Sequence, residues 1–209
     1  MTIILVLGAV WIILNYFLYK QIHKYKLYIY GVAVILSIIS FTQEVNVINL
    51  GYVGFSFFLA VMFTGVVDKS NVKKSLVATR AEMAILGTIF ITVHGIKYIL
   101  FAIDFNFLFS APLYFYIGVF SLVVAIPLFL TSFIEIRKKM NGKVWKRLHK
   151  LSYIFYLAVG LHLILIQNDR MFFYIGIFGT YLIFKVWTLL DKKNSKTPVK
   201  KKEVKATSI

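Results

Sequence analysis

Four histidines are the side chains of this 209-residue chain best suited to hold a metal: His23, His94, His149 and His162. The chain contains no cysteine, which excludes disulfides, iron–sulfur ligation and thiolate ligation of haem. Metal chemistry must therefore use nitrogen or oxygen. Two of the histidines fall in one stretch, WKRLHKLSYIFYLAVGLHLIL, which runs from Trp145 to Leu165 and is basic at its start and apolar thereafter. An ionisable group inside an apolar span is costly, so it is a functional candidate. Taken singly, such a histidine is better explained by a hydrogen bond to a neighbouring helix.

The elements that position these residues are membrane spans. The sequence is 60% hydrophobic, 17% aromatic and only 15% charged, with a mean hydropathy of +0.81. Its apolar runs are long and lack alternation of period two, so they read as helices and not as barrel strands. Seven segments follow: residues 2–19, 27–43, 47–67, 81–103, 112–134, 148–166 and 171–190, of which the second is short. The first has neither a basic leader nor a small-residue cleavage site and reads as a retained span. All of the 24 lysines and arginines except Lys97 and Arg170 fall in alternate connections or in the C-terminal segment. The positive-inside rule then places the N-terminus outside and the C-terminus in the cytoplasm. The net charge of +16 is explained by this topology and by attraction to anionic lipid, with no nucleic acid as partner. No nucleotide-binding glycine loop is present.

Depth sorts the histidines. His94 lies 13 residues beyond Ala81, roughly 20 Å into its span at 1.5 Å per residue. His162 lies 14 residues beyond Leu148 on another span rising from the same side, about 21 Å deep. Two imidazoles at one depth on parallel spans suit a planar cofactor gripped edge-on between helices, and haem, whose iron takes neutral imidazole as an axial ligand, is the obvious one. His149 and His162 are 13 residues apart, about 20 Å along the axis and some 140° around it, so they do not share one group. His149 is expected at the cytoplasmic membrane surface, as a ligand of a second haem, a docking contact for a donor or an interfacial imidazole. His23 is its one same-side histidine. Arg80, Lys143, Lys146, Arg147 and Lys150 ring this end and suit haem propionates or a flavin phosphate, although ordinary loop charge explains them too. Tyr153, Phe155, Tyr156, Tyr98 and Phe101 are candidates for lining a porphyrin or for plain packing. Lys97 is expected to snorkel and Pro127 to kink the fifth long span.

The motif formed by Trp145, Leu148, His149 and Tyr153, with His162 following 13 residues after His149, resembles the ferric reductase-like transmembrane domain family. The run from Arg80 to Thr92-Val93-His94 is similar to the arginine-headed span that carries a further family histidine. Within the family the likeness is nearest to the haem-binding membrane subunit of the bacterial methionine-sulfoxide reductase system, and it covers roughly residues 47–190. The sequence departs from the family at Ala81 and Ala84, where an arginine and a glycine are usual, and in its additional N-terminal span.

The resemblance implies an all-α integral membrane protein, a six-helix haem-binding core plus one N-terminal helix. Residues 1–26 would form that helix and a basic loop, 27–190 the haem domain and 191–209 a disordered basic tail. It implies b-type haem, one or two, held by His94 and His162 with His149 as a third functional histidine and Arg80 and Arg147 assisting. Electrons would pass from a separate cytoplasmic flavin reductase, FMN or a quinol to an extracytoplasmic redox protein or ferric iron. The alternative is a polytopic transporter or receptor that uses intramembrane histidines for proton or ligand binding.

Overall fold

The computed structural model describes residues 2–43, 45–66, 71–166 and 168–194, and every regular element among them is helical. In chain order these are α1 (Thr2–Lys24), α2 (Lys26–Gln43), α3 (Asn46–Asn49), α4 (Tyr52–Thr64), α5 (Asn71–Ala78), α6 (Arg80–Asp104), α7 (Leu113–Leu130), α8 (Ile134–Arg137), α9 (Gly142–Leu148), α10 (Leu151–Ile166) and α11 (Met171–Asn194). A 3-10 turn, Asn168–Arg170, leads into α11. Among the described residues, six helical runs are long and apolar enough to cross a membrane: α1, α2, α6, α7, the α9–α10 run and α11. The chain is thus a multi-pass membrane protein. The segment expected to be a tail lies beyond Asn194 outside the described residues, while 191–194 complete α11.

The third apolar segment takes a different form from the continuous span its composition predicts. It is broken into the single turn α3 and the 13-residue α4, about 20 Å long at 1.5 Å per residue. The break is Gly51, whose φ of 74° lies in the left-handed region that glycine adopts without steric cost. Helix α4 is apolar all round, and ten of its residues, from Gly54 to Thr64, are buried. It is the central element on which the longer helices pack. Its approach to α6 is close because both sides are small: a methyl group at Gly54 would stand 2.4 Å from Cγ2 of Ile91, and one at Gly87 would stand 3.0 Å from Cε2 of Phe58. Non-helical backbone at span depth is tolerated when protein covers it, and Asn49 is buried with its side chain accepting from Oγ of Ser40 at 2.7 Å.

The basic connections are more helical than a reading of them as loops predicts. Only Tyr25 separates α1 from α2, and the long connection after α7 carries α8 and α9. Asn141 caps α9 by accepting from the backbone N–H of Lys143 at 2.8 Å. Pro127 lies inside α7. The hydroxyl of Thr131 and the hydroxyl of Ser132 each bond back to a carbonyl four residues earlier, those of Pro127 and Leu128.

Candidate functional site

Cavities open between the helices, and among the described residues a pair of them contains the histidines. One, of about 260 Å³, is lined by His94 and His162; the other, of about 500 Å³, is lined by His149 and His23 and lies at the end where the basic segments gather. Phe58 of α4 and Phe155 of α10 line both. Their rings, 4.7 Å apart between centroids, form the partition.

His94 is held from the broken segment. Helix α3 ends at Asn49, so the Asn49 carbonyl is one of the last-turn acceptors that no intrahelical N–H satisfies. Nδ1 of His94 bonds to it at 2.7 Å. The turn that presents this carbonyl depends on Gly51, which also lies against the ring: a methyl group there would stand 3.3 Å from Cγ of His94.

His162 is held in the same way from α7. Its Nδ1 bonds to the Tyr114 carbonyl at 2.8 Å. Gly118 follows Tyr114 by one helical turn and so lies on the same face. A methyl group at Gly118 would stand 2.9 Å from both Cε1 and Nδ1 of His162, so the ring reaches the carbonyl only because position 118 has no side chain.

A carbonyl only accepts, so Nδ1 carries the proton in both rings and Nε2 keeps its lone pair. Neither Nε2 has a hydrogen-bonding partner among the described residues. The two rings are 6.3 Å apart between centroids and inclined at 76°. A metal bonded to both Nε2 atoms at about 2 Å, with about 1 Å from each nitrogen to its ring centre, separates the centroids by about 6 Å. The observed centroid separation matches that spacing. No group of three or more His, Asp or Glu able to hold a metal ion occurs among the described residues. A metal held between these two imidazoles would take its remaining ligands from something other than a third His, Asp or Glu side chain among the described residues.

The second cavity is built differently. His149 terminates α9 and packs on Trp145 with ring centroids 4.3 Å apart and planes inclined at 37°, and Trp145 is fixed by donating from Nε1 to the Thr131 carbonyl at 3.1 Å. The Thr131 hydroxyl donates to the Pro127 carbonyl at 2.6 Å, so towards Nε2 of His149, 3.0 Å away, it accepts. That nitrogen is protonated and engaged. His23, on α1, bonds through Nδ1 to Oε1 of Glu82 at 2.7 Å. His23 and His149 thus share a cavity with different hydrogen-bonding partners.

Arg80, Lys146 and Lys150 line this second cavity; Arg147 is exposed on α9, and neither arginine lines the His94–His162 cavity. Tyr98 and Phe101 line the first cavity, Tyr153 and Tyr156 the second, and Phe155 both. Residue-by-residue reading of the sequence overlooks the Asn49 and Tyr114 carbonyls, Gly51, Gly118, Thr131 and Glu82. Of these only Glu82, an acid at the head of an apolar span, carries a signal in its residue type.

Residues 45–160, more than half of the chain, match the family model described as ferric reductase like transmembrane component. The match includes His94 and His149 and ends two residues before His162. Among curated proteins, the chain is 28% identical over 127 residues to magnetosome protein MamZ of Magnetospirillum gryphiswaldense, an alignment covering 58% of this chain and 19% of that one. It is also 28% identical over 154 residues to an uncharacterized protein of Treponema pallidum, covering 65% of this chain and 42% of that one. The chain thus spans less than half the length of these relatives. No solved structure matches it.

Proposed function

We propose that this chain, which belongs to the ferric reductase-like transmembrane component family, is a membrane electron-transfer protein that holds one b-type haem between His94 and His162. Family membership supports the class, a transmembrane electron-transfer component. The observation that carries the finer reading is the imidazole pair, with centroids 6.3 Å apart and both Nδ1 atoms tied to backbone carbonyls. Such second ligand-side bonds fix tautomer and ring orientation at metal sites. When bound, haem supplies a one-electron iron couple, and two imidazole ligands leave no open position for substrate.

The chain's own residues do the remaining work. Asn49 and Tyr114 hold the two rings, Gly51 and Gly118 make room for them, and the aromatic lining, which includes Tyr52, Tyr98 and Phe155, keeps bulk water out. By the positive-inside rule the basic end faces the cytoplasm, so the donor side is the His149 cavity and the acceptor side is the Arg170 end. The donor is a separate flavin reductase, flavin or quinol; the acceptor is an extracytoplasmic redox protein, such as a methionine-sulfoxide reductase partner, or ferric iron.

The test is spectroscopic. The full-length protein expressed with ample haem is expected to show a Soret band that is lost in His94→Ala and in His162→Ala while both variants still fold. Purified protein without haem, or variants with an unchanged spectrum, would overturn the reading.

A further inference from the structure

The cavity at the basic end contains a buried acid that nothing so far explains. Glu82 is 4% exposed; its Oε1 is bonded to His23, and its Oε2 is buried with no hydrogen-bond partner among the described residues. A buried carboxylate oxygen left unpaired is costly, and a ligand that donates a hydrogen bond relieves that cost. His23, whose side chain is 58% exposed, connects the same carboxylate to the surface.

The surroundings define the class of ligand. The walls are aromatic and aliphatic, with Tyr30 of α2, Phe58 of α4 and Phe133 before α8 among them, which suits a flat ring. Leu27 and Val77 also line the cavity and are 70% and 54% exposed, so it opens onto the apolar outer surface of the bundle, where a lipid-soluble molecule enters. A flat, lipid-soluble molecule with a hydroxyl to donate is a hydroquinone. The basic groups Lys26, Arg80, Arg137, Lys146 and Lys150, which also line this cavity, attract anions yet have no proton acceptor to offer, so they do not select a donor.

We propose that this cavity binds the headgroup of a membrane hydroquinone, one hydroxyl of which donates to Oε2 of Glu82, with His23 holding the other carboxylate oxygen. The choice of a redox-active ligand rests on the electron-transfer reading; the unpaired acceptor does not. Glu82 and His23 are binding and positioning residues in this account.

Reduced menadione, a naphthohydroquinone, is the probe. It is titrated calorimetrically and anaerobically into full-length, dithionite-reduced protein, so that no electron moves, and haem content is measured on the same sample. Saturable binding, weakened about tenfold by Glu82→Gln through loss of a bond to a charged acceptor and less by His23→Ala, supports the proposal. Absent binding, equal affinity in Glu82→Gln, or displacement of the probe by flavin mononucleotide overturns it. Should Glu82→Gln fail to fold, an azidonaphthoquinone photolabel decides: adducts on residues of this cavity support the proposal, and adducts confined to the His94–His162 cavity overturn it. Protein that binds the probe but lacks haem would remove the haem reading alone.

Discussion

Each cavity is lined by two histidines, yet only in one pair are both rings held by backbone carbonyls. In the His94–His162 cavity both Nδ1 atoms donate to backbone carbonyls and neither Nε2 atom has a hydrogen-bonding partner among the described residues. In the other, side chains hold the rings: His149 bonds through Nε2 to the Thr131 hydroxyl and His23 through Nδ1 to Glu82. What the far nitrogen bonds to fixes an imidazole's tautomer and orientation, and the count of histidines does not. The backbone supplies the difference: a helix broken at Gly51 and a helix face left bare at Gly118 present carbonyls to one pair, whereas hydroxyl and carboxylate side chains meet the other.

The comparison can be broken most severely at the ligands. His94→Ala and His162→Ala are each expected to abolish haem binding, read as loss of the Soret band, whereas His149→Ala retains it. Next in size is Gly118→Ala. A methyl group 2.9 Å from the His162 ring displaces a group that orients a ligand, and haem affinity should fall by about tenfold or more, as for other outer-shell changes at metal sites. A hemin titration of the apoprotein measures this. Gly51→Ala is expected to be milder: a non-glycine residue at its positive φ costs about 1–2 kcal/mol, visible as a lower thermal midpoint together with weakened haem retention. The smallest effect belongs to Thr131→Val, which removes the hydroxyl from His149. Haem content should not change, and a second haem appearing in that variant would show that Thr131 was what kept His149 from serving as a ligand.

The membrane class, the seven apolar segments and the family were legible because hydropathy, charge alternation and the Trp145 to His162 motif are local properties of the chain. The common depth of His94 and His162 was also legible, since a helix converts residue count into distance. The details that orient the rings were not. The Asn49 and Tyr114 carbonyls carry no side-chain signature, and Gly118 gains its meaning only from the distance to a ring 44 positions further along the chain. The third segment read as an ordinary span because its composition is apolar throughout; its break depends on the backbone at one glycine. Arg147, grouped with Arg80 by charge and position, sits on the exposed face of α9. The helical phase of α9 could not be fixed while that connection read as a loop.

The most direct measurement is a reduced-minus-oxidised spectrum of the purified full-length protein with its haem-to-protein ratio. One haem per chain is expected, absent in His94→Ala and retained in His149→Ala. Two haems per chain with one lost in His149→Ala, or no haem at all, would contradict the assignment of the two cavities.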